Sequence, residues 1–177
     1  MRVGHRFRSD APGLSSTDAN DRFMRSLCAQ WGASVLSRYP CLDQETLEFV
    51  IWVLGPSTDN LVRALANIGI KVESILQEVS ITPENQAAAL APILCRPGLT
   101  LQTCAAKALS NALESLASSD NKSDMARGLH HVTRTYGLSE DECALAFFLA
   151  SVSSWPHLER FFDSHLECDR PSGRKYL

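Results

Sequence analysis

Hydrophobic residues recur along most of the chain at the three- and four-residue spacing of amphipathic helices. Phe23, Leu27, Trp31 and Val35 form the first such stripe, in a segment predicted to be helical over residues 18–37. After Thr100, leucines and many small residues keep a helical period for more than four turns, and the alanines among them would let a neighbouring helix approach closely. The pattern predicts an all-α fold of about seven to nine helices packed around the most apolar ones.

Two segments are unusually apolar, and each follows a helix-capping signal. Residues 47–54 follow Asp43; their acidic start and Gly-Pro end favour a buried helix over a buried strand. Residues 144–152 follow Ser139 and Glu142, which stand at the spacing of a capping box. Because this second segment is apolar nearly all round, we expect its helix to lie at the centre of the fold.

The start of the chain differs from the rest. Residues 1–15 contain Arg2, Arg6 and Arg8 but lack the apolar stretch that a secretory signal requires, so we expect a disordered N-terminal arm. Residues 16–177 then form the helical domain.

The remainder of the chain has one candidate internal boundary, the polar stretch 118–123. It leaves open a division into two subdomains, residues 16–118 and 123–177. The last residues, 171–177, have the pattern of a loop followed by a helix start, and a helix of one or two turns is marginal by itself. We therefore expect the chain to be a fragment of a longer polypeptide.

Composition narrows the function class. A formal charge of −3 excludes a generally basic nucleic-acid binder, and no run of about 18 apolar residues is present to cross a membrane. No cysteines form a C-x-x-C pair, so we expect buried thiols in a reducing compartment and a cytoplasmic location. The cysteines are Cys28, Cys41, Cys95, Cys104, Cys143 and Cys168.

The sequence contains no recognisable catalytic or cofactor motif. Neither phosphate-binding glycine loop occurs, and no G-x-S-x-G elbow is present. Cys143 directly follows three acidic residues, whose charges oppose formation of a thiolate. We predict no catalytic residue and no cofactor; an enzyme would need His130, His165 and a cysteine to converge in one pocket.

Metal binding finds little support. His165 and Cys168 have the spacing of half a zinc site, but a structural zinc needs four ligands and no second close pair complements them. His130 and His131 are adjacent, so on a helix their side chains point about 100° apart. We predict no metal site.

A helix-turn-helix DNA-binding regulator is an alternative interpretation of residues 132–149, which have a helix–glycine–helix layout. The second helix begins with Glu140, Asp141 and Glu142 and offers no Arg, Lys, Asn or Gln to meet base edges. Acidic side chains there would also repel phosphates, so nucleic acid is not the expected partner.

The C-terminal third carries a family resemblance. The segment Tyr136–Glu142, the apolar helix after it, Pro156-His157-Leu158 and the closing residues 173–177 resemble the helical region that precedes the nucleotide-binding core of some bacterial AAA+ ATPases. The resemblance covers residues 123–177 and transfers no site residue, because both Walker elements are absent. It implies the N-terminal part of a larger machine that recruits a partner or regulates the ATPase, with any ATPase activity in a missing C-terminal portion.

We therefore expect a non-catalytic protein-interaction or regulatory domain, with a small free-standing adaptor as an alternative. Its partner would be another protein or the remainder of its own polypeptide, and a homo-oligomer stays open. Trp155, His157 and Phe161 are the candidate partner-binding residues, because an aromatic cluster beside a helix start can anchor a partner. The alternative is that these three side chains pack internally.

Overall fold

The computed structural model describes residues 16–55, 59–79, 82–95, 99–117 and 124–168. The described residues form nine α-helices and no strand, so the predicted all-α fold is confirmed. In chain order they are α1 (Ser16–Arg38), α2 (Gln44–Leu54), α3 (Asp59–Ala66), α4 (Glu73–Gln77), α5 (Pro83–Leu94), α6 (Leu99–Ala117), α7 (Asp124–Tyr136), α8 (Glu140–Ser154) and α9 (Pro156–Cys168).

Three sequence predictions lie outside the described residues. These are the disordered arm 1–15, the boundary 118–123 and the closing segment 171–177. Across that boundary, the Met125 N–H donates to Asn20 Oδ1 at 3.0 Å and joins the start of α7 to α1. The division into two subdomains stays a prediction.

Helices α1 and α6 pack closely and antiparallel along their lengths. The Ser26 hydroxyl donates to the Ala117 carbonyl at 2.9 Å, and the Ser110 hydroxyl donates to the Ala33 carbonyl at 3.1 Å. Seven residues forward on α1 thus correspond to seven residues back on α6. Small side chains permit this approach, as the run of alanines after Thr100 predicts.

Helix α2 forms the centre of the core. From Thr46 to Leu54 each residue except Trp52 is buried, and the helix contacts α1, α5, α6 and α9. Its start is capped by Asp43, whose carboxylate accepts the Thr46 N–H at 2.7 Å. Gly55 ends it with φ +83°, a left-handed conformation that glycine adopts readily. The prediction of a buried helix over residues 47–54 is confirmed.

The expectation that α8 lies at the centre of the fold is wrong. Only Cys143 and Ser151 of this helix are buried, whereas Leu145 and Leu149 are 58% and 57% exposed. Helix α8 lies at the edge of the molecule, and none of the described helices covers its outer side. Apolar composition determines that a helix prefers burial, but the number of helices packed around it determines whether burial occurs.

The capping box at the start of α8 is present as predicted. Ser139 donates to Glu142 Oε2 from its N–H and its hydroxyl, both at 2.8 Å, and the Glu142 N–H donates back to Ser139 Oγ at 3.2 Å. These hydrogen bonds hold the pKa of the Glu142 carboxyl below its ordinary value of 4.5.

Replacing Glu142 by glutamine should therefore give a pH-dependent loss of stability. A carboxyl whose pKa is lowered by folding stabilises the protein above its unfolded pKa, and this contribution disappears as pH falls through the folded pKa. The melting temperatures of wild type and Glu142→Gln should differ at pH 7 and converge below about pH 4.5. Circular dichroism melts from pH 7 to pH 3 measure this.

A Ser139→Ala background provides the control, because it removes both the hydroxyl donor to Glu142 and the hydroxyl acceptor of the Glu142 N–H. In that background the pH dependence of the Glu142→Gln effect should be reduced but not lost, because the backbone N–H of residue 139 still donates to the Glu142 carboxylate. If the melting temperatures of wild type and Glu142→Gln differed by the same amount from pH 7 to pH 3, the lowered pKa of Glu142 in the folded protein would be contradicted.

Candidate partner-binding groove

Helices α1, α7 and α8 enclose a groove of about 860 Å³ that is open to solvent. Its lining is mostly apolar, and the large side chains are Phe23, Leu27 and Trp31 of α1, Leu129 of α7 and Phe147 of α8. The groove follows α1 from Phe23 to Ser34, which at a rise of 1.5 Å per residue is about 16 Å. That length corresponds to three helical turns.

Aromatic rings support α8 on the rest of the molecule. The Phe147 ring lies 6.4 Å from Phe23 and 6.5 Å from Trp31, measured between ring centroids. Phe148 meets Trp31 edge-on at 4.9 Å and Phe162 of α9 edge-on at 4.8 Å. These contacts hold α8 against α1 and α9 while the groove stays open beside them.

Helices α7 and α8 meet at the end near the Gly137 turn. The Thr133 hydroxyl lies 2.9 Å from the Leu129 carbonyl and 2.8 Å from the Cys143 sulfur, so it is within donating reach of both. Gly137 makes the turn between the helices with φ +63°, in the left-handed region. The short connection and the Thr133–Cys143 contact keep the two helices together at this end.

The two sides of the groove carry opposite charge. On α7, exposed basic side chains recur at helical spacing at Arg127, His131 and Arg134, and Arg127 and His130 reach the groove. Arg127 also forms an ion pair with Asp124. On α8, the exposed residues Glu140, Asp141 and Glu142 make the start of the helix acidic.

Phe161, one of the three predicted partner-binding residues, lies in the core. Its side chain is fully buried and stacks on Phe49 of α2 with 4.1 Å between ring centroids. It therefore offers no surface to a partner, and the alternative of internal packing applies to it.

Trp155 and His157 lie at the partly exposed edge of the same region, away from the groove. Their rings are 6.1 Å and 5.6 Å from that of Trp52. The Arg160 guanidinium donates to His157 Nδ1 at 3.0 Å, and His157 Nε2 lies 3.5 Å from the Glu84 carboxylate. This network joins α2, α5 and α9; a partner-binding role for Trp155 and His157 stays a prediction.

Arg160 extends the network into the core. Its guanidinium lies 2.8 Å from a carboxylate oxygen of Glu48, which is buried in α2, and the Gln44 amide donates to the same carboxylate at 3.1 Å. A buried carboxylate needs such partners to remain charged. The packing of α9 on α2 therefore accounts for the contacts among Arg160, Glu48 and Gln44.

Within the described part of the chain, His130 and His165 do not line the same groove. His130 and Cys143 both line the groove, but His165 lies on α9 with Nδ1 2.9 Å from the Phe161 carbonyl. Burial raises the pKa of the Cys28 thiol to about 12 and that of Cys95 to about 11, so neither is a ready nucleophile.

The described residues also contain no group of three or more His, Cys, Asp or Glu side chains that could hold a metal ion. The Cys168 side chain, half of the sequence pair with His165, lies outside the described part of the chain.

The sequence pattern did not predict the groove, and Val132 and Tyr136 of α7 lie outside the core. They are 41% and 74% exposed, and α7 buries none of its residues. The basic residues 127, 131 and 134 were visible as an i, i+4, i+7 pattern. The signal in the sequence that could have indicated the groove was a helix with a basic face, followed by a helix with an acidic start.

Comparison of the chain with protein-family models, curated proteins and solved structures finds no match. Among the described helices, none combines the length and apolarity needed to cross a membrane. The groove is therefore the feature of the molecule that points to a function.

Proposed function

We propose that this chain is a non-catalytic interaction domain that binds an amphipathic helix of a protein partner in the groove between α1, α7 and α8. The observation that carries the proposal is the exposed apolar groove lined by Phe23, Trp31, Leu129 and Phe147. A helix laid in a hydrophobic groove is a common mode of peptide recognition, and aromatic side chains often supply the central contacts.

The shape of the groove favours a helix as its occupant. A groove about 16 Å long matches three turns of an α-helix, whose apolar face would present side chains at i, i+3, i+4 and i+7. Its volume also falls within the range of small-molecule pockets, about 300–1,000 Å³. The open side and the length along α1 are better matched by a peptide helix than by a compact ligand.

The charges at the groove indicate which helix would bind. Arg127 reaches the groove from α7, so acidic residues beside the apolar face of the partner would be attracted to that side. The acidic start of α8 would repel a partner with the same charge at that end. Charge pairs at such a rim contribute more to the association rate and to orientation than to affinity.

The wider context we propose is that of a recruiting or regulatory part of a larger AAA+ ATPase-like protein in the cytoplasm. Support comes from the resemblance of residues 123–177 and from cysteines without C-x-x-C spacing. The resembling region contains α7, α8 and α9, and so includes two sides of the groove. A free-standing adaptor would use the same groove.

Selection from a display library of helical peptides tests the groove directly. We expect the selected peptides to be amphipathic, with acidic residues beside the apolar face. Ala144 is exposed and lines the groove, so Ala144→Arg introduces a bulky cation there and should weaken binding about tenfold or more. Fluorescence anisotropy of labelled peptides gives the dissociation constants.

The matched control is Ala88→Arg, the same change at an exposed alanine of α5 that does not line the groove. It should leave peptide binding unchanged. Peptides that bind Ala144→Arg as tightly as wild type, or a selection that yields no helical peptide, would refute the proposal. A selection of strongly basic peptides would refute the predicted charge preference.

A further inference from the structure

The outer face of α8 has the properties expected of a groove ligand. Leu145 and Leu149 stand four residues apart, so they share one face of the helix, and both are more than half exposed. Asp141 stands four residues before Leu145 and is exposed on the same side. Neither leucine lines the groove of its own chain. Helix α8 therefore combines an exposed apolar face with an acidic start.

We propose that the helix bound in the groove is α8 of a second copy of this chain, in a two-fold symmetric dimer. The inference rests on the proposed function, because it names the occupant of the same groove. Large exposed aliphatic side chains on one helix face are typical of surfaces that another protein covers. The second copy is favoured over an unrelated partner because the chain itself carries both complementary surfaces.

Charge complementarity supports this occupant. Arg127 and Arg134 are exposed on the basic side of α7, whereas Glu140, Asp141 and Glu142 are exposed at the start of α8. With the second copy's α8 in the groove, its acidic start can approach the basic side of α7. A two-fold axis repeats each such contact, so every favourable charge pair occurs twice in the dimer.

The arrangement is also consistent with the two faces of α8. Cys143 and Phe147 face the groove of their own chain, whereas Leu145 and Leu149 face outwards. One α8 can therefore line its own groove and enter that of the second copy.

The first test is the mass of the protein in solution, measured by sedimentation equilibrium. Wild type should approach twice 19.5 kDa as its concentration rises. Leu145→Glu/Leu149→Glu should be monomeric, with dimerisation weakened on the order of a thousandfold, because each lost leucine contact occurs twice. Since both leucines are exposed, the variant should keep its circular dichroism spectrum, and its melting temperature should match that of wild type at concentrations where wild type is also monomeric.

A charge exchange tests the orientation. Arg127→Glu/Arg134→Glu makes the α7 side acidic, and Glu140→Lys/Asp141→Lys makes the α8 start basic. Each variant alone should dimerise at least about tenfold more weakly, because like charges would meet. An equimolar mixture should form a heterodimer, because opposite charges then meet at both symmetry-related contacts. A mixture that stays monomeric would overturn the proposed pairing of α7 with α8.

The outcomes separate this inference from the proposed function. The Leu145→Glu/Leu149→Glu monomer keeps the groove lining, so it should still bind the helical peptides selected above. A wild type that is monomeric at about 100 μM and binds those peptides through the groove would overturn the dimer alone. If the dimer persisted in both Leu145→Glu/Leu149→Glu and Ala144→Arg, the proposed dimer interface would also be overturned. A dimer that both changes abolish, and that the selected peptides dissociate, supports both proposals.

Discussion

Replacing Phe161 by alanine should lower the free energy of unfolding by about 3–5 kcal/mol, the range for removing a large aromatic side chain from a core. Phe161 is fully buried, stacks on Phe49 at 4.1 Å and meets Phe162 edge-on at 5.2 Å. It also lies 4.5 Å from the ring of the buried His165. The substitution therefore removes contacts between α9 and α2 and leaves a cavity that its neighbours can only partly fill.

Chemical denaturation followed by circular dichroism measures the loss. The control is Tyr136→Ala, which removes an aromatic ring that is 74% exposed and should change the stability by no more than about 0.5 kcal/mol. A Phe161→Ala protein as stable as wild type would show that the ring is not part of the core. Such a result, together with loss of partner binding, would restore the sequence-based interpretation of Phe161 as a surface anchor.

Replacing Gly32 by alanine should destabilise the protein by about 1–3 kcal/mol, although alanine is the better helix former. A Cβ atom at position 32 would lie 2.5 Å from Phe49 Cε1 and 3.2 Å from Leu113 Cδ1. The Phe49 ring is fully buried and stacked on Phe161, so it has little room to move. The resulting overpacking outweighs the gain of about 0.5–1 kcal/mol that a Gly-to-Ala change brings inside a helix.

Gly128→Ala on α7 is the matched control with the opposite expected sign. Nothing lies within 4 Å of the Cβ position there, so only the helix propensity changes and stability should rise by about 0.5–1 kcal/mol. Denaturant midpoints of the two variants give the comparison. If Gly32→Ala also stabilised the protein, this would contradict the close packing of α1 on α2 and α6 at position 32.

Two helix starts followed from the sequence because their signals are local. Asp43 and Ser139 each cap a helix by accepting the N–H of the third residue after them, at 2.7 and 3.2 Å. Such a contact depends only on residues within one turn, so the residue types and spacing are sufficient to predict it. The buried character of α2 followed from its apolar run in the same way.

The candidate site was much less predictable. The sequence pointed to Trp155, His157 and Phe161, of which Phe161 packs in the core and the other two border a charged network on α2 and α5. The groove instead uses residues from α1, α7 and α8 that are up to 124 positions apart, from Phe23 to Phe147. No local pattern states which distant helices will face each other.

The helical class of the protein, the starts of its capped helices and the apolar character of α2 and α8 could all be deduced from the amino-acid sequence, because periodicity and capping act over a few residues. The tertiary structure alone decided that α2 is enclosed while α8, nearly as apolar, lies at the edge with Leu145 and Leu149 exposed. Burial is a property of how many neighbours surround a helix, and those neighbours come from distant parts of the chain. The groove arises from the same cause, since it is the space that α1, α7 and α8 leave between them.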